Sequence, residues 1–252
     1  MAVKRVAMPW RLVAVWAAVL LLATSPASAG IPLIEQLISQ FSVESYTTTQ
    51  QTIENMGLGL YGGSAYNQGY RGRDASVSGT DSKGNLECQL YLSDMFTSFG
   101  LTTSIQGTYQ NVVGELTGAT RPNDIYSIGA HYDTTMGNPR PGGDDNASGT
   151  AAIVELARIL SQYQFEATIR LIAFNNEEDG LYGSTDYVNN VVKAGSQNVV
   201  GMVSLDMILR PYNNLNPSLP IDLDLGCPND GNDLVWVCRA GGEHSRNPPI
   251  ER

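Results

Sequence analysis

The stretch IYSIGAHYD, residues 125–133, is the part of the chain that decides the fold. Its apolar run leads directly into His131 and Asp133. Two further apolar runs end in the same way: Ile169–Phe174 before Glu177 and Glu178, and Val199–Leu205 before Asp206. Near-continuous apolar runs of this length are typical of strands buried on both faces of a sheet. Polar residues that follow such strands gather at one edge of an α/β sheet, which is where these sheets build binding sites.

Helical patterns separate these predicted strands. Asn146 and Ser148 can cap a helix, and Ile153, Leu156, Ala157 and Leu160 give that helix an apolar face. A second helix is predicted over Ser184–Ala194. Alternation of strands and helices predicts an α/β sandwich with a largely parallel central sheet.

The segment before residue 125 supplies further elements. Apolar residues from Cys88 to Phe99 recur at steps of three and four, which predicts a helix that buries Cys88 and ends at Gly100. The remaining expectations are a short helix over Ile31–Phe41, a surface loop over Gly57–Gly72, strands over Leu101–Gln106 and Asn111–Leu116, and a turn over Gly118–Asn123. Beyond Arg210 only Leu234–Cys238 reads as a strand.

Composition narrows the function classes. The chain has 252 residues and a formal net charge of -10, with 42% hydrophobic residues. That length and apolar content suit one domain, which we place at 30–252. The acidic balance argues against nucleic acid and against an anionic membrane surface, because both require clustered Lys and Arg.

The first 29 residues have the pattern of a cleavable signal peptide. Lys4, Arg5 and Arg11 form a basic segment, an apolar run covers Leu12–Ala23, and Ala27-Ser28-Ala29 fits a cleavage site. We therefore expect a secreted or periplasmic protein that begins at Gly30 and has no membrane attachment after cleavage. Because export permits disulfides, Cys227 and Cys238 are a candidate pair.

Four short motifs carry ligand-type side chains, and each alone has a plain structural alternative. His131 with Asp133 could be a satisfied core histidine, and Glu177 with Glu178 an exposed acidic turn. Asp144 and Asp145, flanked by Gly142, Gly143 and Gly149, could be a solvated loop that caps a helix, and Asp206 a turn residue. Asn146-Ala147-Ser148 also fits a glycosylation acceptor, a motif that is common by chance.

Taken together, the order and spacing of these motifs resemble the secreted two-zinc aminopeptidases. These are zinc exopeptidases related to aminopeptidase Y, glutamate carboxypeptidase II and the glutaminyl cyclases. The resemblance covers about Asn111 to Met207 and rests on four matches: His-Tyr-Asp, Gly-Gly-Asp-Asp-Asn-Ala-Ser-Gly, Asn-Glu-Glu-Asp-Gly-Leu-Tyr-Gly-Ser and Leu-Asp-Met. It implies a three-layer α/β/α sandwich with a mixed, largely parallel central sheet.

The resemblance also implies a role for each site residue. His131 and Asp206 would bind one Zn²⁺ ion, Glu178 the other, and Asp145 both. Asp133 would orient His131, and Glu177 would be the general base that acts on a zinc-activated water. The expected function is hydrolysis of N-terminal residues from a peptide or protein. The alternatives are a glutaminyl cyclase of the same fold, or an inactive member used as a binding module.

The sequence departs from the family pattern at its C-terminal end. A second histidine should complete the zinc site that contains Glu178, and His244 is the only candidate. His244 lacks the expected neighbours and lies close to Asp206 in sequence, so it is a poor match. We therefore expect a chain that is incomplete at its C-terminus and lacks the last strands of the family domain.

Overall fold

The computed structural model describes residues 30–61, 72–75, 82–137 and 139–209, and the backbone of 236–239. The chain divides into two compact units, Met1–Phe41 and Ser42–Arg252. In the first unit a single described helix, α1 (Gly30–Ser39), confirms the short helix that the sequence predicts. The signal-peptide prediction falls on residues outside the described part of the chain.

The second unit is built on one mixed sheet. Its described strands are β1 (Thr102–Gln106), β2 (Asn111–Leu116), β3 (Arg121–His131), β4 (Ala167–Phe174), β5 (Asn198–Asp206) and β6 (Trp236–Arg239), in the spatial order β1-β2-β4-β3-β5-β6. The β1–β2 and β2–β4 pairs are antiparallel, and the other three pairs are parallel. Strand β4 is central and largely buried, as its apolar run predicts.

Three helices lie on one face of the sheet: α2 (Val43–Leu58), α3 (Lys83–Ser98) and α4 (Ala147–Leu160). They enclose the larger core, in which Ile53 of α2, Phe96 of α3 and Ile153 of α4 are fully buried. Cys88 is also fully buried, and burial raises the pKa of its thiol to about 12. The prediction that Cys88 is a core residue is confirmed.

Helix α5 (Tyr182–Tyr187) and the π-helical turn Val188–Lys193 follow strand β4. Together they cover the segment predicted as a helix over Ser184–Ala194. Tyr187 packs edge-on against Phe174, with ring centroids 5.9 Å apart, in a second cluster with Val113 and Ile172. Val113 and Ile172 alternate along their strands with residues of the larger core, so this cluster lies on the opposite face. The three-layer α/β/α arrangement is therefore confirmed.

Several sequence predictions require correction. Helix α2 was not expected, and Gly57, placed in a surface loop over Gly57–Gly72, is a buried residue of its last turn. Strand β3 begins at Arg121, inside the turn predicted over Gly118–Asn123. Strand β5 is not fully buried, because Val200 and Val203 are exposed among the described residues. None of the described helices is both long and apolar enough to cross a bilayer.

A candidate metal centre at the carboxyl ends of the strands

His131 lies at the end of strand β3 and is 5% exposed. The hydroxyl of Thr150, on α4, donates to the His131 carbonyl at 2.8 Å and ties the strand end to that helix. The Nε2 atom of His131 is 3.1 Å from Asp145 Oδ1 and 3.6 Å from Asp206 Oδ1. An imidazole nitrogen and two carboxylate oxygens therefore converge on one point.

Asp145 belongs to the glycine-rich loop that opens helix α4. Gly142 has a φ of +55°, and a Cβ atom there would lie 2.2 Å from the Thr134 side chain, so only glycine fits this turn. Asn146 is the N-cap, as predicted, and its side-chain oxygen accepts from the Gly149 N–H at 2.9 Å. The Asn146 cap and the turn at Gly142 together direct the Asp145 side chain toward His131.

Asp206 ends strand β5, and side chains of the Asp145 loop hold the chain on either side of it. The Asn146 amide donates to the Leu205 carbonyl at 2.9 Å. Beyond Asp206, the Ile208 N–H donates to Ser148 Oγ, and the Leu209 N–H donates to Asp144 Oδ1, both at 3.0 Å. Asp144 therefore supports the position of the strand end.

Glu177 and Glu178 lie in a turn just after strand β4. The chain enters this turn through Asn176, which has a φ of +54° and donates to the Ala75 carbonyl at 3.1 Å. The backbone N–H groups of Glu177 and Glu178 each donate to the Asp133 carboxylate, at 3.1 Å. Glu177 Oε2 is 4.0 Å from His131 Nε2.

Asp133 contacts both the histidine and the glutamate turn. Its side chain is 1% exposed, and its Oδ1 atom is 3.4 Å from His131 Nδ1. The pairing is the one expected for a residue that orients His131, although strand β3 ends before Asp133. Sequence reasoning did not anticipate the two hydrogen bonds from the glutamate backbone.

The site concentrates negative charge. Burial opposes the charged form of His131, but the carboxylates of Asp133, Asp145 and Asp206 outweigh it and hold its pKa well above the ordinary value. Burial raises the pKa of Glu177, and although His131 opposes this shift, the neighbouring carboxylates add to it. Burial and then the charge of Asp145 raise the pKa of Glu178 to about 7. Burial and crowding by like charge thus disfavour the ionised forms of Glu177 and Glu178.

This donor set fits a divalent metal ion. Ligand atoms of His131, Asp145 and Asp206 lie within 4.8 Å of one another. A cation offsets the mutual repulsion of carboxylates, and a mixture of imidazole and carboxylate ligands suits zinc. Of the four ligands that the resemblance implies, these three meet in the structure, whereas Glu178 lies outside this group. Glu178 is nonetheless close enough for Asp145 to influence its pKa.

Comparison with known proteins identifies the segment that contains this site. Residues 111–218 match the model of peptidase family M28. This segment is therefore similar to the M28 peptidases. A probable zinc metalloprotease of Pyrenophora teres f. teres is 30% identical over 208 residues, which cover 73% of this chain and 42% of that protein. The chain therefore spans less than half the length of this curated relative.

Solved structures of a similar fold align with about two thirds of the chain or more. The LapA aminopeptidase of Legionella pneumophila aligns with a TM-score of 0.55 at 22% identity, over 71% of this chain and 46% of that one. A glutaminyl cyclase of Bacteroides thetaiotaomicron aligns with a TM-score of 0.51 at 20% identity, over 67% of this chain and 62% of that one. At these identities the likeness extends to the fold alone.

Two predictions from the sequence fall on parts that the structure does not describe. His244, the candidate additional ligand, lies outside the described residues, as does Cys227. Only the backbone is described at Cys238, so the Cys227–Cys238 pair stays a prediction.

Proposed function

We propose that this protein is a metal-dependent exopeptidase that removes N-terminal residues from peptides. The observation that carries the proposal is the convergence of His131 Nε2 with Asp145 and Asp206, with Glu177 Oε2 4.0 Å from the same nitrogen. A metal-ligand group beside a further carboxylate suits metal-assisted hydrolysis, in which that carboxylate transfers protons next to the metal.

We propose Zn²⁺ as the metal, with two ions in a complete site. His131, Asp145, Asp206 and Glu178 are among the residues that would hold these ions. The relatives described as zinc metalloproteases support this choice. When bound, zinc lowers the pKa of a water molecule and polarises the scissile carbonyl.

The residues of the chain supply positioning and proton transfer. Glu177 accepts a proton from the attacking water as a C–O bond forms at the scissile carbonyl. It then delivers that proton to the amine nitrogen as the C–N bond breaks, leaving a carboxylic acid and an amine, which become a carboxylate and an ammonium at neutral pH. Asp133 holds the glutamate backbone and His131 in place throughout, because it contacts both.

The choice of an aminopeptidase is supported by the fold neighbours, since the LapA structure of Legionella pneumophila is that of an aminopeptidase. Asp145, Glu177, Glu178 and Asp206 are all partly exposed, so a substrate can reach them.

The test is zinc-dependent hydrolysis of unblocked and N-acetylated peptides. We expect the zinc-loaded protein to cleave unblocked peptides and to spare acetylated ones. Glu177→Gln should lower kcat by about 10²- to 10⁴-fold, the range for a general base. Glu166→Gln, which changes a carboxylate 73% exposed and remote from the site, is the matched control. Hydrolysis by Glu177→Gln at the control rate would overturn the proposed role of Glu177.

A cyclase would behave differently in the same assay. It would release ammonia from peptides with N-terminal glutamine and leave their peptide bonds intact. Ammonia release without new amino groups would therefore replace the peptidase proposal with the cyclase alternative.

We further propose that the protein is exported, on the strength of the N-terminal sequence pattern alone. Expression of the full chain in a bacterium, followed by N-terminal sequencing of the exported product, tests this proposal. A chain that begins at Gly30 is expected, and an uncleaved chain in the cytoplasm would contradict it.

A further inference from the structure

Arg73 is fully buried, which is unusual for a permanently charged side chain. Its guanidinium donates to four backbone carbonyls: Nε to Tyr132 at 2.8 Å, Nη1 to Pro141 at 2.7 Å and Ile53 at 3.1 Å, and Nη2 to Gly142 at 3.0 Å. The planar fork of arginine matches such a spread of acceptors, whereas the single ammonium of lysine cannot span it.

Three of these carbonyls belong to the segments that supply the metal-centre residues. Tyr132 lies between His131 and Asp133, and Gly142 lies three residues before Asp145. The third segment is helix α2, through Ile53. A single side chain therefore links the end of strand β3 to the loop that carries Asp145, and fixes both against a helix.

Backbone contacts strengthen this link from the Arg73 side. The Arg73 N–H donates to Thr134 Oγ1 at 2.9 Å, and the Thr134 N–H donates to the Arg73 carbonyl at 3.2 Å. The Asn85 amide donates to that same carbonyl at 2.9 Å. Hydrogen bonds therefore hold the backbone of Arg73 as well as its side chain, as expected of a residue that positions others.

Gly57, in the last turn of α2, allows the loop before Asp145 to pack close to Arg73. A Cβ atom at Gly57 would lie 2.5 Å from the Arg140 carbonyl and 3.2 Å from Arg73 Nη1. Helix α2 can therefore approach the loop and the guanidinium only because this position has no side chain.

The charge of Arg73 complements the site. Burial lowers the pKa of its guanidinium, and nearby negative groups, including Asp133 and Asp145, oppose that shift. An arginine stays protonated in proteins even when buried. The guanidinium therefore places a fixed positive charge behind a cluster of carboxylates without competing for their oxygens as a ligand.

We propose that Arg73 is a positioning residue of the metal centre, which holds the His131–Asp133 segment and the Asp145 loop at the separation that zinc binding requires. This inference rests on the proposed function. It assigns no contact with substrate to Arg73, and its effect on zinc passes through the two segments that it joins.

The test measures zinc affinity in the full chain by competition with a chromophoric chelator, alongside thermal unfolding without metal. Arg73→Lys keeps a cation, and Arg73→Met keeps only an apolar stem.

The matched control is Arg170→Met. Arg170 is 12% exposed and pairs with Glu115 at 2.6 Å. This pair lies on the face of the sheet opposite the larger core. We expect both Arg73 variants to bind zinc about 10- to 100-fold more weakly, as happens when a residue supporting metal ligands is lost. The control should unfold at a lower temperature and keep the wild-type zinc affinity.

Two results would overturn the inference. The first is wild-type zinc affinity in Arg73→Lys, which would mean that charge without the four-carbonyl geometry is sufficient. The second is a loss of affinity in Arg170→Met equal to that in Arg73→Met, which would mean that general destabilisation explains the effect. If the wild-type protein itself binds no zinc, the proposed function fails instead.

Gly57→Ala provides a second test of the positioning role if the Arg73 variants do not fold. It leaves Arg73 in place but pushes the 140–141 backbone away from the guanidinium. Alanine also suits a helix better than glycine, so α2 should persist. Weaker zinc binding by this variant is expected, and unchanged affinity would contradict the positioning role.

Discussion

The carboxylate of Asp133 accepts the backbone N–H of Glu177 at 3.1 Å, although 43 residues and a complete helix separate them in sequence. Asp133 also accepts the Glu178 N–H and lies beside His131. The residue therefore fixes the proposed base, the neighbouring glutamate and a metal ligand at once, and its loss should affect all three.

Replacement of Asp133 by asparagine removes the negative charge and one of the two hydrogen-bond acceptors. An amide oxygen can still accept one N–H, but its NH₂ group cannot accept the other. We expect kcat/KM to fall by about 10- to 100-fold, the usual effect of losing a partner of metal ligands. Steady-state kinetics on an unblocked peptide provides the measurement. An effect confined to KM would argue instead that Asp133 serves substrate binding.

Removal of the Asn146 side chain should destabilise the fold and disturb the metal centre together. Asn146→Ala leaves the Gly149 N–H and the Leu205 carbonyl without their partners. Loss of a cap costs about 0.5–2 kcal/mol, and the partly buried Leu205 carbonyl, left unpaired, adds to that cost. Urea unfolding measures the sum. Ser42→Ala, which removes only the cap of α2, is the comparison and should cost less.

Zinc should stabilise the protein through His131 and Asp206. A ligand at 100 times its Kd adds about 2.7 kcal/mol to the free energy of unfolding. We expect added zinc to raise the Tm of the wild-type protein, a chelator to reverse the rise, and both His131→Ala and Asp206→Asn to abolish it. Asp94→Asn, a change at an exposed position of α3, should respond to zinc as the wild type does. A normal zinc response in His131→Ala would remove that residue from the ligand set.

Acid should destabilise the protein partly through Glu155, which lies away from the metal centre and is 2% exposed. Burial raises its pKa, but hydrogen bonds from Arg158, the Ser42 N–H and Ser45 outweigh burial and lower the pKa overall. The pKa of Glu155 in the folded protein is below its value of about 4.3 in the unfolded chain. The ionised side chain therefore contributes its full share to the free energy of unfolding above about pH 4.3. It is then lost as the pH falls through the lower folded pKa.

The measurement is the free energy of unfolding of the wild type and of Glu155→Gln between pH 7 and pH 3. At neutral pH the variant should be less stable, by about 1.5–3 kcal/mol, because a charge-assisted hydrogen bond is lost. The difference between the two proteins should narrow on acidification. A constant difference across the range would mean that ionisation of Glu155 does not contribute.

The sequence predicts the central sheet and the site residues because both leave local signals. Ile169–Phe174 is an unbroken apolar run, and β4 is the central strand that such a run indicates. Apolar residues at helical spacing likewise predict α3 and the burial of Cys88. His131, Asp145 and Asp206 follow strands or open a helix, and these positions bring them together at the edge of a sheet.

Helix α2 and Arg73 leave no such signal. The α2 sequence is rich in threonine and glutamine, and its helix depends on the Ser42 cap, the left-handed Gly59 and packing of Ile53 and Met56 on the core. Arg73 lies in a segment of mixed composition, and its role depends on carbonyls contributed by distant parts of the chain. Backbone acceptors are present at every residue, so a single sequence cannot indicate which of them an arginine will meet.

The environment of Asn146 bears on how the protein should be produced. Its Nδ2 atom, the nitrogen to which an oligosaccharide would be attached in Asn146-Ala147-Ser148, is the atom that donates to Leu205. Asn146 is fully buried, so a glycosylating enzyme could reach it only before the chain folds. A glycan added at that stage would block formation of the loop that carries Asp145. Any chain glycosylated at Asn146 in a eukaryotic secretory host should therefore misfold, a loss that a bacterial host without this modification avoids.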